Sequence, residues 1–388
     1  MNVEKYQERL WAEIDLDALV HNYKQIQKLV NPQTKMLSVV KANAYGHGAV
    51  QCARALCTAG AENLAVASLE EALELRRADI NISILILGYV PSCEADTLIH
   101  YNLTATVYTT EFARALSVAA VRQNKQARIH IKVNTGMERI GFECEEVEQM
   151  LEVYHLPGLY TEGIFSHLAC ADCPDSSAVH TQYQRFMTAA DKLKAAGAHI
   201  PFRHLLNSAG IFDFPEYQLD MVRPGIILYG YYPSAAVRER GITLRPVMSL
   251  KTRVIHLHQI APGTGVSYGW TFTAKTPMLV ATIPVGYADG YCRLLSNRAH
   301  MLSCGQRVPV IGKICMDQCM IDVTSVHTIH VGSEITIMGK GGEAAVTAEE
   351  LAQLSETISY EILCAIGKRV PRLYYENGEA VGVLNGFS

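Results

Sequence analysis

Between Leu16 and Tyr231 the chain alternates short apolar runs with longer amphipathic stretches. Ala18, Leu19, Tyr23, Ile26 and the pair Leu29–Val30 recur at helical spacing behind the acidic Asp15 and Asp17, which predicts a helix. Met36–Val40 then forms a compact apolar run that closes on Lys41. The same pattern recurs at Leu64–Ala67, Ser83–Leu87, Leu103–Val107, Ile129–Val133, Leu159–Phe165, His204–Leu206 and Gly225–Tyr229, all read as strands. Helical patterns lie between most of them: Leu69–Arg77, Glu111–Gln123, Glu145–Tyr154 and Ala178–Ala196. Strands alternating with helices over this length predict an α/β fold, a (β/α)8 TIM-type barrel, with a doubly wound open sheet as the competing arrangement. Polar residues just after the runs favour the barrel, because Lys41, Ser68, Asn134, His167, Asn207 and Ser208 stand where barrels place their chemistry.

After Pro233 the texture changes. Met248–Ile260 alternates, and Met278–Val285, Arg307–Ile311, Met320–Val323 and Glu334–Met338 are strand-like, with glycine and proline between them. Thr347–Leu354 reads as a short helix opened by a Thr-x-x-Glu capping box. A mainly β C-terminal domain is expected, joined through the charged stretch Ser234–Arg245. The division is 11–240 for the barrel and 241–388 for the β domain, with residues 1–10 packing against the latter.

Composition narrows the classes of function. The 388 residues are 49% hydrophobic, enough for a large core and unlike a disordered chain. A net charge of −4 offers no basic surplus for a phosphate backbone, so a nucleic-acid partner is not expected. The densest apolar run, Ile82–Val90, is too short for a membrane span, and Met1–Leu10 has no signal-peptide pattern. Eleven scattered cysteines fit reduced thiols. Together these predict a soluble, cytoplasmic chain with no membrane partner.

Lys41 is the first candidate for chemistry. Its stem follows apolar Val39–Val40, and low-dielectric surroundings favour the free amine that condenses with a carbonyl. The plain alternative is a lysine at a strand end that reaches solvent. Tyr268 lies in an aromatic loop and, on its residues alone, reads more readily as packing. Arg223, between Val222 and Pro224, could pair with Asp220. Two further patterns carry little. Gly265-x-Ser267-x-Gly269 matches a hydrolase elbow, but Trp270–Thr273 is not helical as the elbow requires. Cys170 and Cys173 have ligand spacing without a second pair, so no metal site is expected.

The segment Val39-Val40-Lys41-Ala42-Asn43-Ala44-Tyr45-Gly46-His47-Gly48 resembles the cofactor-attachment motif of alanine racemases. The resemblance continues through Lys132–Gly141, Asn207–Ser208, Met221–Ile226, Val266–Gly269, Gly286–Gly290 and Ile314–Gln318, spanning nearly the whole chain in the family's order. It implies pyridoxal 5'-phosphate held by Lys41, with Lys41 and Tyr268 as bases on opposite faces of the α-carbon, Tyr268 coming from the other subunit of a homodimer. Racemisation needs a donor on each face. A tyrosine ionises near pH ~10, so a phenolate at neutral pH needs cationic help; the family likeness assigns that help to His167 and Arg223.

By the same resemblance Arg223 faces the pyridine nitrogen. The phosphate contacts are Ser208, the N–H groups of Gly225 and Ile226, and the hydroxyls of Tyr45 and Tyr360, with Asn207 beside them. Arg139 matches a residue that contacts the cofactor and the substrate carboxylate. Lys132 matches a position that is often carbamylated, and an anion is expected there because Lys132 and Arg139 would otherwise repel. Met316, with Asp317 beside it, matches the backbone donor to the substrate carboxylate, and Tyr287, Arg293, Asp172 and Ile358 match the entrance corridor. Lys313 stands where the family often has arginine, which implies a looser ion pair with Asp172. The implied activity interconverts L- and D-alanine and supplies D-alanine for peptidoglycan. A serine or broader-specificity racemase is the near alternative, a barrel decarboxylase and a non-catalytic cofactor carrier the distant ones.

Overall fold

A computed structural model describes residues 3–234 and 241–386. Residues 235–240, which are part of the expected linker Ser234–Arg245 and the end of the expected barrel domain 11–240, lie outside the described residues, as do 1–2 of the expected N-terminal piece and 387–388 of the expected β domain. The chain forms two compact units. One comprises Leu19–Ala44 and Ala49–Arg245; the other comprises residues up to Ala18, the short piece Tyr45–Gly48, and the chain from Pro246 on.

The first unit is a closed parallel barrel. Its strands are β1 (Lys35–Val39), β2 (Asn63–Val66), β3 (Ser83–Ile86), β4 (Thr104–Val107), β5 (Ala127–Asn134), β6 (Leu159–Phe165), β7 (Phe202–His204) and β8 (Met221–Val222). Each pairs with the next, β4 with β5 included, and β8 closes on β1 at Met221↔Lys35. The strands are nearly continuous apolar runs because each is covered on both sides. Two of the helices between them, Leu69–Arg77 and Thr110–Arg122, are fixed by their caps: Ser68 Oγ accepts from Glu71 N, and Thr109 Oγ1 from Phe112 N.

The eighth strand is displaced from its expected place. Met221–Val222 pairs with both neighbours, whereas Ile226–Tyr229 is a 3₁₀ turn. Pro224 has no N–H to give a ladder, and Ile226, Ile227, Leu228 and Tyr229 are all fully buried. A short, uniformly apolar run of this kind does not distinguish a strand from a buried helical turn.

The second unit is an eleven-stranded sheet. Leu10–Asp15 is an interior strand, third from one edge, antiparallel to Met248–Arg253 and parallel to Arg372–Glu376. Residues 11–18 therefore belong to this unit, where the sequence division gave them to the barrel, and residues 241–245 belong to the barrel unit. Trp11, Ile14, Leu250 and Tyr374 are buried on the strand Leu10–Asp15 and its two neighbours. The expected strand Met248–Ile260 is two, Met248–Arg253 and His256–Ile260. They part where Val254 N turns to Ser333 and Ile255 N to Thr282. Thr347 caps Ala348–Leu354 by accepting from Glu350 N at 3.1 Å.

Candidate active site

The C-terminal ends of the barrel strands gather the cationic residues singled out from the sequence. Lys41 opens a turn whose next four residues, Ala42 to Tyr45, all have φ of 51–53°. A left-handed conformation costs about 1–2 kcal/mol per non-glycine residue. Within the barrel unit three bonds support it: Ala42 N donates to Glu71 Oε1 at 2.7 Å, Ala44 N to the Val40 carbonyl at 2.9 Å, and Ala49 N to Asn43 Oδ1 at 2.8 Å. Glu71 Oε2 also accepts from Ala67 N at 2.7 Å, so one carboxylate ties the chain after β1 to the chain after β2.

Arg223 is buried and held through both terminal nitrogens. Nη2 donates to the carbonyls of Ser166 at 2.7 Å and Leu205 at 2.8 Å and lies 3.2 Å from His167 Nδ1; Nη1 lies 2.8 Å from His204 Nδ1. It does not pair with Asp220, whose carboxylate takes Arg203 at 2.8 Å. Burial and the neighbouring Arg139 bring the Arg223 guanidinium down to about 9, still charged at neutral pH. Lys132 Nζ is buried without a hydrogen bond and lies 4.9 Å from the centre of the Phe165 ring. Burial first, then Arg223 and Arg139, push its amine well below the usual lysine range. His167 is held well below the ordinary imidazole range by burial and by Arg223, Lys132, Arg139 and Lys41. Four basic side chains thus act together on the His167 imidazole. Low-dielectric surroundings make such a cluster an anion site.

Ser208 Oγ accepts from Gly225 N at 2.9 Å, which joins the two segments expected near a phosphate. Asn207 Oδ1 instead caps the helix Ser208–Asp213 by accepting from Gly210 N at 3.0 Å. Asp172 lies exposed on the turn after β6.

In the β unit, Tyr45 is buried with its ring 5.9 Å from that of Tyr360. Tyr268 sits in the 3₁₀ turn Tyr268–Trp270 between the short paired strands Gly265–Val266 and Phe272–Thr273, with no helix following. The hydrolase elbow is therefore absent among the described residues. Ser267 Oγ donates to the Lys313 carbonyl at 2.6 Å, which places the Tyr268 turn beside the Met316 loop. That loop is held in turn by Tyr287 N on the Cys315 carbonyl and Ala288 N on the Met316 carbonyl. Asp317 pairs with Arg369 at 2.8 Å. Tyr268 and Met316 are 70% and 53% exposed, and Arg293 and Ile358 are exposed on other turns.

Four participants escaped the sequence reading: Glu71, His130, His204 and Ser166. Of these only His130 left a signal, because it alternates with Lys132 on β5 and so shares its face.

Comparison with known proteins agrees with this arrangement. The alanine racemase N-terminal domain matches residues 14–233 and the alanine racemase C-terminal domain residues 247–374. The chain is 44% identical over 384 residues to an alanine racemase of Clostridium tetani, covering 98% of this chain and 99% of that one. The solved alanine racemase of Clostridium difficile 630 superposes with a TM-score of 0.93 at 40% identity, over 98% and 99% of the two chains. The Bartonella henselae alanine racemase with covalently bound pyridoxal phosphate gives 0.84 at 30% identity, over 95% and 99%. With both domain families matched in order and a relative this close over the full length, the chain belongs to the alanine racemase family.

Proposed function

We propose that this chain is an alanine racemase, an isomerase that interconverts L- and D-alanine with pyridoxal 5'-phosphate, and that it works as a cytoplasmic homodimer supplying D-alanine for peptidoglycan. The observation that carries the reading is the cluster of Lys41, Lys132, Arg139 and Arg223 around His167 at the mouth of the barrel. These residues fit the cofactor. Its phosphate and phenolic oxygen are anionic, the cluster is basic, and the Lys132 amine, buried without a hydrogen bond, supports a further polar partner there. When bound, the cofactor supplies an aldehyde for an amine to hold and a ring that withdraws electrons from the alanine α-carbon.

Lys41 would hold the cofactor and move the α-proton on one face. Ser208, Gly225, Ile226, Tyr45 and Tyr360 would hold the phosphate, Arg139 and the Met316 N–H the substrate carboxylate, and Arg223 the pyridine nitrogen. Arg223 can only donate a hydrogen bond and stays charged, so it does not give that nitrogen a proton as a carboxylic acid could. Held so by Arg223, the ring would draw less charge away from the alanine α-carbon, which would favour return of the proton there over side reactions. Burial loosens the proton of the Lys132 amine and so favours the form that takes up carbon dioxide; the resulting carbamate would hold Arg139.

Tyr268 would serve the opposite face from the partner subunit, helped by His167 and Arg223. Support for the dimer comes from the β unit, where Tyr268, Trp270, Met316 and Ile358 leave 53–74% of their large apolar surfaces exposed, as suits a face that a second copy covers. Asp172, Tyr287, Arg293, Lys313 and Ile358 would line the entrance, and Asp317, tied to Arg369, would steady the Met316 loop.

Incubation of cofactor-loaded protein with L-alanine, followed by chiral chromatography, should yield D-alanine, with serine turned over far more slowly. Absence of D-alanine would sink the reading; equal rates on serine would favour the broader racemase.

A further inference from the structure

A row of polar side chains runs down the barrel interior from Arg223. Arg223 Nη1 is 2.8 Å from His204 Nδ1, His204 Nε2 is 2.8 Å from His130 Nδ1, and His130 Nε2 faces Glu162 Oε2 at 3.7 Å. A guanidinium only donates, so His204 Nδ1 must accept. The one proton of a neutral His204 is then on Nε2 and is donated to His130 Nδ1. That leaves the His130 proton on Nε2, facing the carboxylate. Burial keeps both imidazoles on the neutral side, with Arg223 adding to the effect at each. Glu162 is held below the ordinary carboxylate range chiefly by His130, and Arg128 stands 3.8 Å from its other oxygen, so the far end of the row is an anion.

The backbone is shaped to make this row. Ile129 pairs with Thr161 but His130 with Gly163, so Glu162 is the extra residue of a β-bulge. Bulges re-aim a side chain, and this one brings Glu162 to His130. A Cβ on Gly163 would stand 2.5 Å from His130 Nδ1 and 2.6 Å from Cε1, so the ring occupies space that only glycine leaves. Phe165 stacks flat on His204 at 4.6 Å between ring centres.

We propose that Glu162, acting through His130, fixes His204 as its Nε2–H tautomer and thereby holds Arg223 in one donor orientation. Glu162, His130 and His204 are positioning residues. The consequence for the cofactor ring rests on the reading of Arg223 given above; the tautomers rest on the geometry alone. With the opposite tautomer, His204 would set an N–H against the guanidinium donors, and Arg223 would lose one of the bonds that orient it.

The test is nitrogen NMR of cofactor-loaded protein labelled with 15N-histidine, with signals assigned by single His130→Gln and His204→Gln substitutions. Both rings should show a protonated Nε2 and an unprotonated Nδ1 throughout pH 6–8. Glu162→Gln keeps an acceptor oxygen and should keep that pattern, whereas Glu162→Ala should lose the single-tautomer signature at His130 and lower kcat on alanine while KM holds. A protonated Nδ1 on His204 in the unsubstituted protein overturns the inference, as does a Glu162→Ala spectrum identical to it. Intact tautomers in a protein that fails to racemise alanine would instead sink the functional reading alone.

Discussion

Replacing Glu71 by alanine tests whether one carboxylate holds the turn that carries Lys41. Glu71 accepts two backbone N–H groups, from Ala42 and Ala67, each at 2.7 Å. Hydrogen bonds to a charged group contribute about 1.5–3 kcal/mol each. Against them stand the left-handed residues from Ala42 to Tyr45, at about 1–2 kcal/mol apiece. The Ala42 bond is solvent-exposed, so water recovers part of what the substitution removes, and a net local loss of about 2–4 kcal/mol is expected. At tenfold per 1.4 kcal/mol, amide exchange in peptides covering 40–48 and 63–70 should quicken roughly 30- to 700-fold. Mass spectrometry reads this locally, which matters because a chain of two units need not unfold in a single step. Glu71→Gln keeps one acceptor and should give a smaller rise, concentrated in one of the two peptides. Unchanged exchange in both peptides for Glu71→Ala would refute the idea that this side chain stabilises the strained turn.

Two further outcomes follow from buried cations. Arg372 donates to the carbonyls of Gly46, Ile366, Gly367 and Val370 at 2.6–3.0 Å, so Arg372→Met should destabilise the β unit by at least about 4 kcal/mol; thermal unfolding checks this, and Arg372→Lys should recover little because one ammonium does not span four acceptors. Lys132 binds its proton less readily folded than unfolded, where 10.5 is ordinary, so between its lowered value and 10.5 the unfolded chain holds more protons and stability rises with pH. In cofactor-free, carbonate-free protein the unfolding midpoint of Lys132→Met should rise less steeply with pH than that of the parent, and equal slopes would contradict the burial of a lysine amine there.

The barrel was legible because its strands and helices differ in hydrophobic period, and the Thr347 capping box marked a helix start in the β unit; Ser68, read as a residue at the chemistry end of a strand, is a helix cap. Gly225–Tyr229 misled because a fully buried run has no period to read. Residues 11–18 misled for another reason: the strand Leu10–Asp15 takes its partners from residues more than 230 positions away. Lys41, Arg223 and Tyr268 stood out through motif resemblance. The left-handed turn did not, since alanine and tyrosine rarely adopt it and nothing local announces the Glu71 contact 29 residues on. Glu162 was equally silent, because a bulge, which no alternation pattern shows, aims it at His130.

Sharing of the active site between subunits is tested most directly by mixing two inactive variants, Lys41→Ala and Tyr268→Phe, and letting their subunits exchange. If each site draws Lys41 from one chain and Tyr268 from the other, a mixed dimer contains one site with both residues intact. Random pairing makes half the dimers mixed with one of two sites working, so racemisation of alanine should return to about a quarter of the unsubstituted level. If both residues come from one chain, every site in every dimer keeps a defect, and activity that stays at the level of the separate variants after confirmed exchange would contradict the two-subunit site.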